Sequence, residues 1–113
     1  MLVFFLFYQF QPVLLMFTFV VPPTIEPTQT SSDMSVDAGD TVVFRCNATG
    51  RPTPTIIWER QGKALLPIGL ETFMNYTMTA QNILPAHRGL YRCNAVNLIG
   101  STNREIVVNV RCK

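Results

Sequence analysis

The chain has 113 residues, with nine Lys or Arg, seven Asp or Glu and one His, for a net charge of +2. So small an imbalance excludes a charge-driven nucleic-acid binder, and the length allows one small domain plus an appendage. No nucleophile stands beside a plausible base, and no Gly-rich phosphate loop, H-E-x-x-H or carboxylate cluster is present, so the reading is a non-enzyme without cofactor or metal.

Residues 1–21 differ from the rest, with no charged residue and six of the eight phenylalanines. Three readings stay open. A secretory signal lacks the basic start and the A-x-A-like site. An uncleaved anchor is long enough to span a bilayer but is interrupted by Gln9, Gln11 and Pro12. The third is unrelated sequence joined to the domain by a gene-model artefact. Asp33, Asp37 and Asp40 then fall close together, but Gly39 between them makes a turn the ordinary explanation, and calcium demands more fixed oxygens.

From 42 to 48, Val42, Phe44, Cys46 and Ala48 alternate with Val43, Arg45 and Asn47, the period-two pattern of a half-buried strand. Gly50, Pro52 and Pro54 separate it from a second strand carrying Ile56 and Trp58 on one face. A short strand is expected at 64–66, closed by Pro67 and Gly69. Met78 and Ala80 fit inward positions of a further strand, with Ile83 continuing the core. Tyr91, Cys93 and Ala95 alternate with Leu90, Arg92 and Asn94. After a loop containing Gly100, Ile106, Val108 and Val110 repeat the pattern. No stretch shows a convincing amphipathic helix.

Cys46, Trp58 twelve residues on, Cys93 thirty-five beyond that, and Tyr91 two before Cys93 frame an all-β, two-sheet antiparallel sandwich of the immunoglobulin type. In that architecture Cys46 and Cys93 close a disulfide between facing sheets, the Trp58 indole packs against it, and the Tyr91 hydroxyl bonds back to the backbone at a strand corner. The short span from Trp58 to Cys93 leaves no room for the extra strand pair of a variable-type domain and points to the intermediate type, in which the short strand at 64–66 stands alone beside the Trp58 strand. A bridge closing a loop of this length contributes roughly 4 kcal/mol in the chain-entropy model and requires an oxidising compartment.

Four stretches carry a closer likeness: VVPPTI at 20–25, WERQGKALLPIG from Trp58 to Gly69, RGLYRCNAVNLIG from Arg88 to Gly100, and IVVNV at 106–110. On these the chain resembles an I-set immunoglobulin domain of the lachesin, amalgam, dpr-interacting and IgLON group of cell-surface adhesion proteins. The resemblance implies a fragment of a longer chain, with 22–110 as the domain and 111–113 as a truncated tail. One departure concerns the position two before Gly89, where the group usually carries an aspartate paired with an arginine across the lower rim. Here it is His87, with no matching arginine near Phe73. The sheet is expected to close without that pair at little cost, since exposed pairs contribute roughly 0–1 kcal/mol, with His87 a solvated loop residue.

Asn47-Ala48-Thr49 and Asn75-Tyr76-Thr77 are acceptor sequons for N-glycosylation. Glycans there should cover the sheet of the 42–48 strand and leave the opposite sheet bare. On that bare face and its loops, Ile57, Glu59, Leu65, Leu90, Arg92, Leu98 and Ile99 form the candidate partner-binding set, since grouped exposed apolar residues mark interfaces. Cys112 is left over, as an intermolecular bridge, a reactive thiol or the mark of truncation. The expected function is an extracellular recognition or adhesion module that binds other immunoglobulin-superfamily cell-surface proteins, neuronal or epithelial, with possible membrane association. A soluble secreted recognition protein is the alternative, and a cytoplasmic structural I-set module a third.

Overall fold

The computed structural model describes residues 19–112. Most of the apolar segment read over 1–21 therefore lies outside the described residues. Among the described residues no helix is long and apolar enough to cross a membrane.

The described residues form nine strands in chain order: β1 (Val21–Ile25), β2 (Met34–Asp37), β3 (Val42–Arg45), β4 (Ala48–Arg51), β5 (Thr55–Arg60), β6 (Thr72–Met74), β7 (Thr77–Ala80), β8 (Gly89–Val96) and β9 (Ser101–Arg111). One layer is a five-stranded sheet in the order β2-β9-β8-β5-β6; the other comprises the antiparallel pairs β1-β4 and β3-β7. All pairings are antiparallel except β2 with β9, which run parallel from Met34↔Val108 to Asp37↔Arg111.

The core lies between the layers and is filled by the residues whose alternation forecast it. Phe44, Trp58, Met78, Ile83, Tyr91, Cys93, Ala95 and Ile106 are fully buried. Cys46 and Cys93 are disulfide-bonded, with Cα atoms 6.4 Å apart. Phe44 meets Trp58 edge-on at 5.8 Å and stacks on Tyr91 at 4.9 Å, geometries that suit the ring quadrupoles. The Trp58 Nε1–H donates to the Asn75 carbonyl at 3.0 Å, and the Tyr91 hydroxyl donates to the His87 carbonyl at 2.6 Å. Both polar tips are thus satisfied within a closed apolar core.

Three local expectations are corrected. The strand expected at 64–66 does not form; its place is taken by β6, which pairs with β5 through Ile57↔Met74, Trp58↔Phe73 and Glu59↔Thr72. The apolar run instead makes a tight loop in which the Leu66 N–H donates to the Leu70 carbonyl, and Leu66 plugs the core. The strand read over 42–48 changes partner midway, pairing first with β7 and then, beyond Cys46 and Asn47, with β1. Gly50 lies inside β4 rather than in a separating loop. A Cβ there would come within 3.2 Å of the Val21 carbonyl and 3.1 Å of the Asn97 amide nitrogen, so a close backbone approach demands glycine.

The acidic triplet is also spent locally. Asp33 accepts from the Val107 N–H, Asp37 from the Arg111 guanidinium at 2.8 Å, and Asp40 from the Asp37 N–H, with Gly39 at φ +96° in the turn between them.

Candidate binding surface

Because Ile56, Trp58, Tyr91, Cys93, Ala95 and Ile106 turn inward, their neighbours on β5, β8 and β9 turn outward, and strand register sets those neighbours in rows. The central row is charged. Glu59 stands opposite Arg92, and Arg92 opposite Glu105. Arg92 reaches Glu105 at 2.9 Å and Glu59 at 3.6 Å, while the Asn94 amide donates to Glu59 at 2.9 Å. The hydrogen bond that Arg92 donates to Glu105, reinforced by the charge of both carboxylates, raises its pKa and holds it firmly protonated. Two carboxylates share one guanidinium, so the row carries one excess negative charge.

Apolar residues flank this row on both sides. Ile57 pairs with Met74 on one side, and Leu90 pairs with Val107 on the other. Met74 is 67% exposed and Val107 49%. The outer face therefore brings together Ile57, Glu59, Leu90 and Arg92, four members of the sequence-derived set, and adds Met74, Glu105 and Val107. Val107 and Glu105 were readable from the same alternation that buries Ile106 and Val108. Met74 was not, because the strand carrying it was placed eight residues too early.

The other three members lie elsewhere. Leu65 is in the loop that follows β5, near the Gly89 end of β8, whereas Leu98 and Ile99 sit in the loop joining β8 to β9 at the opposite end. The seven residues thus form one face and two separate rims, not a single patch.

Each rim is tied by one side chain that sequence reading did not single out. At the Leu98 end, the Asn97 amide donates to the carbonyls of Val21 at 2.8 Å and Pro52 at 3.0 Å, while its Oδ1 accepts from Ile99 and Gly100. Leu98, 87% exposed, is held out from a pinned loop. At the other end, Arg60 donates to the carbonyls of Leu65, Ala86 and Arg88 and lies 5.2 Å over the Tyr91 ring. Arg60 thus closes the rim where the aspartate–arginine pair is missing. His87 is more than a solvated loop histidine: its Nδ1 accepts from the Leu84 N–H at 2.8 Å. Partial burial, and then the Arg60 charge, lower its pKa below the ordinary value. An arginine two residues after Trp58 was the available signal for the first of these roles.

Asn47 lies at the β3–β4 junction, and Asn75 is exposed on the crossover from β6 in one sheet to β7 in the other. Cys112 is exposed and unbonded at the end of β9.

A family model described as an immunoglobulin domain matches residues 22–97. The lachesin of Drosophila melanogaster is 35% identical over 83 residues, covering 74% of this chain and 23% of lachesin. The tyrosine-protein kinase-like otk of Drosophila willistoni is 39% identical over 85 residues, covering 74% of this chain but 8% of that protein. The chain therefore spans less than a quarter of either curated relative. Among solved structures, a chain from the complex of Dpr2 Ig1-Ig2 with DIP-Theta Ig1-Ig3 superposes with a TM-score of 0.77 at 35% identity, over 80% of this chain and 32% of the other. The titin M3 domain superposes with a TM-score of 0.65 at 27% identity, over 80% and 98% respectively.

Proposed function

The chain belongs to the immunoglobulin-domain family, and from that premise we propose that it is the recognition module of a cell-adhesion protein, binding another immunoglobulin-type domain outside the cell. The observation that carries this reading is the outer face of the five-stranded sheet. Its charged row, bordered by Met74, Ile57, Leu90 and Val107, offers apolar area for affinity and fixed charges for selectivity. The likeness to lachesin and to a structure in which immunoglobulin-domain chains bind one another supports a partner of the same kind. A specific interface of standard size buries roughly 1,200–2,000 Å² in total, about half of it on each partner. The disulfide supports the extracellular side of the plasma membrane or the secreted state, because such bonds persist in oxidising compartments.

The titin likeness supports a second reading, a structural module in which the sandwich bears load inside the cell. The Cys46–Cys93 bond weighs against it, since cytosolic thiols are kept reduced.

Surface plasmon resonance tests the first reading, with Dpr2 Ig1-Ig2, DIP-Theta Ig1-Ig3 and the chain itself as immobilised, multimerised probes. Binding by at least one probe is expected. Arg92→Glu should weaken it by at least tenfold, because it sets three carboxylates against one another, while circular dichroism stays unchanged. Binding that ignores Arg92→Glu and Met74→Lys would remove the outer face as the contact surface.

A further inference from the structure

We propose that Asn47 and Asn75 both carry N-linked glycans on a single flank of the sandwich, and that they differ in when they can be modified. The inference rests on the extracellular reading above. Sequon arithmetic alone places both acceptors over the sheet of the 42–48 strand. The fold instead sets Asn75 between the two layers, one residue beyond Met74, and Asn47 and Asn75 line one surface groove together with Thr53, Thr55 and Tyr76.

The two acceptors sit in different surroundings. The Asn75 Oδ1 accepts from the Thr77 N–H at 3.2 Å, and no described residue accepts from its Nδ2. The side chain is exposed, so the nitrogen that must react is open in the folded domain. Asn47 is engaged by the segment that crosses it. Its Nδ2 donates to Gln29, its N–H to Thr30 Oγ1 at 3.1 Å, and its carbonyl accepts from Glu26 N–H at 2.8 Å. The Thr49 hydroxyl of the same sequon donates to Glu26 at 3.3 Å. The Asn47 acceptor is therefore free only until residues 26–30 dock across it.

The chemistry is the same at both sites. The amide Nδ2 attacks the anomeric carbon of an oligosaccharide held on a polyprenyl diphosphate; a C–N bond forms, the C–O bond to diphosphate breaks, the carrier leaves as its diphosphate, and the amide loses one proton. Both acceptors lie on the flank beside the outer face, Asn75 one residue beyond Met74 at its margin, so the face itself carries no acceptor.

The full chain, fused behind a cleavable signal peptide so that import does not depend on residues 1–21, is translated with its N47Q, N75Q and doubly substituted forms in the presence of endoplasmic-reticulum microsomes. Protease protection then scores translocation, and endoglycosidase scores sugar. The expected result is a protected product losing two glycan increments in the wild type, one in each single variant and none in the double. When the same microsomal transferase is offered the oxidised, folded chain, N47Q should still accept a glycan and N75Q should not. A protected product with fewer than two glycans, or a folded N75Q that is modified as readily as N47Q, overturns the inference and leaves the extracellular reading standing. A translocated product in which Cys46 and Cys93 stay reduced overturns both.

Discussion

The two ends of the sandwich solve one problem with different chemistry. Each must join loops arriving from several strands, and each uses a single side chain to bridge backbone groups distant in sequence. Asn97 does this with a neutral amide that both donates and accepts, touching Val21, Pro52, Ile99 and Gly100. Arg60 does it with a cation that only donates, to Leu65, Ala86 and Arg88, and it stands beside a titrating imidazole. The difference teaches that the Asn97 end is held by a group that does not titrate and is crowded at Gly50, whereas the Arg60 end has open space beside Gly62 and responds to protons.

The largest effect that would break this comparison is at Arg60. Arg60→Met keeps the stem over Tyr91 but removes three charge-assisted hydrogen bonds to exposed carbonyls, and we expect a loss of about 2 kcal/mol in urea unfolding. Asn97→Ala should cost somewhat less, about 1–2 kcal/mol, because hydrogen bonds made by a neutral amide contribute less than those made by a cation. It should also free the loop carrying Leu98, read as faster amide exchange at Ile99 and Gly100 than in the wild type. Gly50→Ala sharpens the crowding side of the contrast. Its added methyl meets a backbone carbonyl, and a cost of about 1–2 kcal/mol is expected from crowding, whereas Gly62→Ala meets nothing within 4 Å and its cost comes from the positive φ of +73° alone.

The smallest effect is the pH dependence of the Arg60 end. The His87 pKa is lowered on folding, so the unfolded chain binds more protons at mildly acidic pH. The contribution is therefore complete above about pH 6.5, the unfolded value, and is lost as pH falls through the lower folded value. Only neutral His87 can accept from the Leu84 N–H. Tm measured between pH 7.5 and 5 should decline less in His87→Ala than in the wild type, and Asn97→Ala should leave the decline unchanged. An unaltered slope in His87→Ala would show that other groups set it.

How much of this was legible in the sequence follows from the range of each signal. The core frame was, because alternation is a property of adjacent residues: Val42, Phe44 and Cys46, or Tyr91, Cys93 and Ala95, declare their side of the strand without reference to anything distant. The outer face was half legible for the same reason, since Glu59 and Arg92 are outward whenever Trp58 and Cys93 are inward. The extra strand was not. Three residues, Thr72 to Met74, carry too little pattern to stand out against the apolar run at 64–66, whose Leu66 is drawn inward as a loop plug instead. Nor were the rim ties. Arg60 is assigned only once carbonyls at 65, 86 and 88 are known to converge, and Asn97 only once Val21 is known to lie beside it. The parallel pairing of β2 with β9 joins residues about 74 apart in sequence, beyond any local rule.

That parallel ladder has a mechanical consequence. The chain enters β1 at the Asn97 end and leaves β9 at the Arg60 end, so tension applied to the termini acts along the strands. Between β2 and β9 the pull is a shear: the four registered pairs from Met34↔Val108 to Asp37↔Arg111, together with the Arg111–Asp37 contact, share the load and must give way nearly together instead of unzipping one by one. Behind them the Cys46–Cys93 bond sets a limit on extension, because the 47 residues it spans cannot pay out while it is closed. Pulled from both poles, the domain would resist being drawn apart before it lengthened, as the proposed adhesive role requires.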